Sequence, residues 1–104
     1  MSEINRETIN QIIVKSLYSL DSVDEDAQRE ILKLGEDFPL FGPDAKLDSL
    51  DLVSVITDVE EELSDQLDFF LSLTDDAALS REISPFDSIK NLLDYCEEII
   101  GARN

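Results

Sequence analysis

Residues 46–63 read KLDSLDLVSVITDVEEEL. Leu52, Ile56, Val59 and Leu63 recur at spacings of four, three and four, with Val53 flanking them. Asp51, Ser54, Asp58, Glu61 and Glu62 fall on the other side. A repeat near 3.6 residues with segregated polarity is the pattern of an amphipathic α-helix, and this is the strongest such pattern in the chain. The helix opens at Asp48-Ser49. Both residue types are favoured N-caps, because a side-chain oxygen accepts from a backbone N–H that has no partner in the first turn. Ser49 therefore has two readings: a helix cap, or a hydroxyl placed for chemistry. Asp48 is the better candidate for the cap itself.

The same periodicity recurs on either side. Ile9, Ile12, Ile13, Leu17 and Leu20 form one stripe and predict a first helix over about residues 3–19. Asp24 can cap a short second helix that carries Ile31 and Leu34 and closes at Gly35. Pro39, Gly42 and Pro43 break helical hydrogen bonding, while Phe38, Leu40 and Phe41 are available to anchor that loop on the core. Leu67, Phe69, Phe70, Leu71 and Leu73 fit neither period; Thr74-Asp75-Asp76 reads as a cap and first turn of a short helix near 75–80. Ser84-Pro85-Phe86-Asp87 supplies an N-cap, a proline at the first helical position and an acid three residues on. A last helix follows, with Ile89, Leu92, Leu93, Cys96, Ile99 and Ile100 on one face, ended by Gly101 before a frayed Ala102-Arg103-Asn104. No strand is predicted. The expected fold is a small irregular all-α bundle of four helices, with an extra short helix in the long first loop.

Composition bounds what such a bundle can do. With 104 residues the chain is expected to form one domain over 1–104, whose core buries roughly 60–65% of the unfolded surface. Twenty-five acidic residues against 8 basic ones, a net charge of −17, disfavour nucleic acid and anionic membranes and favour basic protein surfaces as partners. The same charge makes a monomer the expected state. A hydrophobic fraction of 42% argues against disorder. The single cysteine, Cys96, cannot form an internal disulfide and suits a reducing cytoplasm, and its place on the last apolar stripe reads as a buried small hydrophobe. The polar start MSEINRETIN lacks an apolar leader core, and no apolar run nears the ~20 residues that span a bilayer.

Chemistry is excluded more readily than assigned. Without histidine and with one cysteine, Ser-His-Asp and Cys-His nucleophile systems are absent, as is a zinc-ligand set. The three glycines form no phosphate-cradling loop. Residues 21–32, DSVDEDAQREIL, cluster aspartates but lack the central glycine and ligand alternation of an EF-hand loop. The plentiful carboxylates read as a solvated face. The chain is not expected to be an enzyme.

Together, LDSLDLVSVITDVEEEL, the lead-in PLFGPDAKLDSLD and the ending DSIKNLLDYCEEI resemble the acyl carrier proteins, most closely a specialised branch of that family. The resemblance covers most of the chain from about Phe38 onward, together with the helix-one pattern. It implies a bundle of acyl-carrier type in which Ser49 receives 4'-phosphopantetheine from coenzyme A, through a separate magnesium-dependent phosphopantetheinyl transferase. The thiol of that arm then carries acyl groups as thioesters to partner enzymes of fatty-acid, specialised lipid or polyketide-like synthesis. By motif position, Asp48, Asp51, Glu60 and Glu61 are the residues presented to basic patches on those acyl-handling enzymes, with Leu50 the apolar contact beside the arm. Val53, Ile56, Val59, Leu79, Ile89, Leu92 and Leu93 would line a sheltered acyl chain, although a helical stripe is core first.

Charge placement agrees with a docking role. No Lys or Arg lies between Lys46 and Arg81, whereas Asp48, Asp51, Asp58, Glu60, Glu61, Glu62, Asp65, Asp68, Asp75 and Asp76 do. The chain also departs from the common pattern. Ala45-Lys46-Leu47 stands where many members have a glycine, Ser54 stands where fatty-acid carriers commonly have Glu, and there is extra length on both sides of the helix. A dedicated carrier is therefore as plausible as a general one. The competing reading is an acidic interaction module, a nucleic-acid mimic or inhibitor that fills a basic groove, in which Ser49 is only a cap.

Overall fold

The computed structural model describes residues 4–41, 45, 47–67, 73 and 86–103. Among them are four α-helices: α1 (Arg6–Tyr18), α2 (Glu25–Leu34), α3 (Ser49–Leu67) and α4 (Ile89–Arg103). The architecture is a small all-α bundle with the short α2 inside the long first connection. None of these helices is long and apolar enough to cross a membrane.

Each helix begins where a short polar side chain replaces a missing backbone acceptor. Asn5 caps α1 by accepting from the Thr8 N–H at 2.9 Å, so the helix starts three residues later than the apolar stripe alone suggests. Asp24 does the same for α2 through the Ala27 N–H, also at 2.9 Å. Gly35 ends α2 with φ of 56°, a positive value that a residue without Cβ adopts freely, and a turn of 3₁₀-helix follows over Gly35–Asp37.

The stripe of α1 holds: Ile9, Ile12, Ile13 and Leu17 are buried, and α1 packs on α3 and α4. On α3 the buried set is Leu52, Val55, Ile56, Val59 and Leu63. Val53 is 58% exposed and does not flank the core. At 100° per residue the buried positions occupy an arc of about 100° on the helix circumference, from Val55 at one edge to Ile56 at the other, and Val53 lies roughly 60° beyond Ile56. Ile89, Leu92, Leu93, Tyr95, Cys96 and Ile100 supply the face of α4, and Leu73 is fully buried between the two helices in sequence.

The proline-bearing loop is anchored by Phe38 and Leu40, at 1% and 0% exposure, but Phe41 points to solvent. Its backbone pairs with the approach to α4: the Leu40 N–H donates to the Asp87 carbonyl at 2.9 Å, and the Ile89 N–H to the Phe38 carbonyl at 3.1 Å. This pairing corrects the expected start of the last helix. Phe86 lies in a turn and Asp87 in a bend, and Ser88 is the cap, its Oγ accepting from the Asn91 N–H at 3.2 Å. Backbone pairing consumes Asp87 as a strand-like partner, so its place after Ser84-Pro85 does not set the helix start; Ser84 and Pro85 lie outside the described residues. Gly101 does not end α4, which continues to Arg103. An interior glycine costs a helix only about 1 kcal/mol, and burial of the adjacent Ile100 holds the last turn. The short helix expected near 75–80 lies outside the described residues.

Arg6 ties three elements together. Its guanidinium donates to Glu36 Oε1 at 2.6 Å and Oε2 at 3.2 Å, to Asp94 Oδ1 at 2.8 Å, and to Glu97. Hydrogen bonding from Arg6 holds the Glu36 carboxyl below the usual range, and the three carboxylates raise the arginine further. Because the folded-state pKa of Glu36 is depressed, its contribution is present above the unfolded value near ~4.3 and is lost as pH falls through the folded one. Arg6→Gln is expected to lower stability by about 1 kcal/mol at neutral pH, a figure held down because the groups are roughly one-third exposed or more. The gap from wild type should shrink as urea melts are repeated toward pH 3 and at high salt. An unchanged gap at both conditions would refute this account.

Cys96 is fully enclosed, and burial pushes its thiol up to about 12. A thiol raised on folding stabilises the native state below the unfolded pKa near ~8.5, and that stability is lost as pH rises from there toward the folded value. Native protein is therefore expected to react with an aromatic disulfide reagent only at the rate of unfolding, with rapid reaction in denaturant. Fast stoichiometric labelling of the native chain at neutral pH would contradict it.

Candidate functional site

The N-terminal end of α3 is built around Asp48. Its Oδ1 accepts from the Asp51 N–H at 2.8 Å, and its carbonyl accepts from the Leu52 N–H at 3.0 Å, closing the first helical turn. Asp48 is thus the N-cap, and Ser49 enters as the first residue of the helix. Helix geometry concentrates unpaired N–H groups and the positive end of the macrodipole at this end, a setting that favours an attached anion.

Asp51 completes the first turn and has a second role. Its Oδ2 accepts from the Ser22 hydroxyl at 2.6 Å, which ties the turn after α1 to the start of α3. Further along, Asp58 Oδ2 accepts at 3.0 Å from the hydroxyl of Ser16, which is buried on α1. Two carboxylates that periodicity places on the polar side therefore bind neighbouring hydroxyls as well as facing water. Nothing local announces this, because the partners are 29 and 42 residues away in sequence. Asp58 also borders a hollow of about 210 Å³ between α1 and α3, together with Lys15, Ser19, Glu61 and Glu62.

The outward face of α3 carries the remaining expected residues. Leu50 is 78% exposed, and Val53 lies one turn on. Thr57 and Glu61 continue this solvent stripe at helical spacing, and both are exposed. Glu60 is half-buried on its flank, and Asp48 is exposed at its head. An apolar pair beside Ser49 is thereby framed by carboxylates.

The residues expected to line an acyl chain do not come together as one set. Ile56, Val59, Ile89, Leu92 and Leu93 are buried in the continuous core, with exposures of 0–4%. Val53 is on the outer stripe, and Leu79 lies outside the described residues. Val55 takes the core position that Val53 does not fill. The i, i+3, i+4, i+7 series from Leu52 already contains Val55, so its burial was readable from spacing. Among the described residues no three metal-ligating side chains converge.

Comparison of the chain with protein-family models, with curated proteins and with solved structures finds no match.

Proposed function

We propose that this chain is an acyl carrier that holds acyl groups as thioesters on a 4'-phosphopantetheine arm attached to Ser49. The observation that carries the reading is the division of labour at the head of α3. Asp48 supplies the cap, so capping gives no reason for a serine at the next position. What remains is a hydroxyl-bearing residue at the positive end of a helix, followed by an exposed leucine and an acidic face.

The charge on α3 supports docking to basic partner enzymes. Carboxylates near the C-terminal end of a helix oppose its macrodipole, and α3 has no basic residue in its last turn. Glu60, Glu61, Glu62 and Asp65 thus work against the helix they occupy, which is expected where surface chemistry serves a partner. Asp48, Leu50, Asp51, Glu60 and Glu61 would meet the transferase and the acyl-handling enzymes. Long-range attraction of this kind speeds encounter and weakens with salt, which suits a carrier that must leave each enzyme again. Work in the cytoplasm, as a monomer in fatty-acid, specialised lipid or polyketide-like synthesis, completes the proposal.

The test is intact mass after incubation of the apo chain with coenzyme A, magnesium and a broad-specificity phosphopantetheinyl transferase. One phosphopantetheine addition is expected. An unchanged mass beside a modified control carrier would overturn the reading, and tight binding to a basic protein that persists in Ser49→Ala would favour an acidic interaction module.

A further inference from the structure

Two serines reach across to α3, and burial accounts for only one of them. Ser16 is 6% exposed, so its hydroxyl needs a protein partner and finds Asp58. Ser22 is exposed, and water alone would satisfy its hydroxyl. It donates instead to Asp51 Oδ2 at 2.6 Å, across 29 residues of chain. An exposed bond of this kind replaces bonds to water at little net gain, so stability does not explain the choice.

The backbone around Ser22 is fixed by other means. The Leu20 N–H donates to the Leu17 carbonyl and the Val23 N–H to the Leu20 carbonyl, each at 3.1 Å. Val23 is buried, and Asp24 next to it caps α2. The turn is therefore held on both sides of Ser22 without help from its side chain. Nor does α3 need the bond for its start, because Asp48 already takes the Asp51 N–H. What the Ser22 hydroxyl decides is where the Asp51 carboxylate points.

We propose that Ser22 is a positioning residue for phosphopantetheine transfer to Ser49: it fixes the Asp51 carboxylate through Oδ2 and leaves Oδ1 to meet a basic side chain of the transferase. The inference rests on the carrier reading. Asp48 and Asp51 bracket Ser49 in sequence, and Asp51 follows it by roughly 3 Å along the axis of α3. A carboxylate free to rotate must be ordered each time a partner docks, whereas one already held has lost that freedom in the unbound chain. Among the described residues, Asp51 is the one expected docking residue whose side chain is bonded to another element.

In the transfer, Ser49 Oγ bonds to the phosphorus that carries pantetheine and the pyrophosphate link of coenzyme A breaks. The adenosine bisphosphate leaves, and the hydroxyl proton passes to the transferase. Ser22 and Asp51 take no part in those bonds, so their effect belongs to recognition of the chain rather than to turnover.

Loading of the full chain by one transferase is followed by intact mass over a range of chain concentrations, for wild type, Ser22→Ala, Ser22→Thr, Asp51→Ala and Ser22→Ala/Asp51→Ala. Ser22→Ala is expected to raise KM for the chain about threefold with kcat unchanged, the effect of ordering one interfacial side chain. Ser22→Thr, which keeps the hydroxyl, should restore the wild-type KM. In the Asp51→Ala background, Ser22→Ala should have no further effect, because the group it acts through is gone. Melts of Ser22→Ala by circular dichroism should stay close to wild type. Independently of loading, NMR couplings about χ1 of Asp51 should report one rotamer in wild type and averaging in Ser22→Ala. An unchanged KM, the same rise without Asp51, no rescue by threonine, a matching loss of Tm, or one Asp51 rotamer in both chains would each overturn the positioning role and leave the carrier reading standing. Failure of the wild type to load beside a modified control carrier would overturn the carrier reading, and the role of Ser22 with it.

Discussion

Val55→Asp is expected to leave the chain unfolded at room temperature, while Val53→Asp, two residues away on the same helix, folds with a Tm close to wild type. Val55 is fully buried and Val53 is 58% exposed. Replacing a buried valine forfeits roughly 1.5–3 kcal/mol of apolar burial. The aspartate also arrives without a partner in an interior where an unpaired charge costs several kcal/mol more. Together these reach the ~5–15 kcal/mol that hold a domain of this size folded. At Val53 the new carboxylate remains in water and adds one charge to a face that is already acidic, a change of about ±0.5 kcal/mol. Thermal melts by circular dichroism distinguish the cases. Comparable melts for the two variants would mean that the face of α3 turned to the core is misassigned.

Ser49→Ala should abolish phosphopantetheine addition entirely without altering the melt, and Asp48→Ala should do the reverse. Alanine is at least as good a helix former as serine at the first helical position, and Asp48 keeps its bond to the Asp51 N–H. Removing the cap, by contrast, costs about 1 kcal/mol of helix stability and leaves the Ser49 hydroxyl in the chain. Asp48→Ala is thus expected to lower Tm by several degrees, roughly 4–8 °C for a domain of this length, while mass still increases on incubation with the transferase. Its loading rate should fall, because one carboxylate of the docking face is lost with the cap. A mass increase in Ser49→Ala would place the modification elsewhere and remove the basis of the proposed function.

Much of the fold is legible because helices are local. The buried stripes of α1, α3 and α4 follow from spacing, and Asp24, Asp48 and Gly35 act at the boundaries where their chemistry places them. Val53 and Gly101 are misplaced by local signals themselves, whereas two other errors occur where a distant segment competes with them. Asp87 is drawn into pairing with the Leu40 backbone, so Ser88 becomes the cap of α4. Phe41 is as apolar as Phe38, but only Phe38 turns inward, a choice set by how the loop meets the approach to α4.

The candidate site divides in the same way. That Ser49 heads an acidic amphipathic helix, and that the field around it is negative, were determined by the sequence alone, since both depend on residues within a few turns of one another. Only the tertiary structure decided that Asp51 and Asp58 are tied to Ser22 and Ser16, and that Arg6 joins Glu36 to Asp94 and Glu97. The hydrogen bonds and ion pairs among them join side chains from 29 to 91 residues apart. No periodicity encodes such meetings; they follow from how the buried faces of the helices share one core.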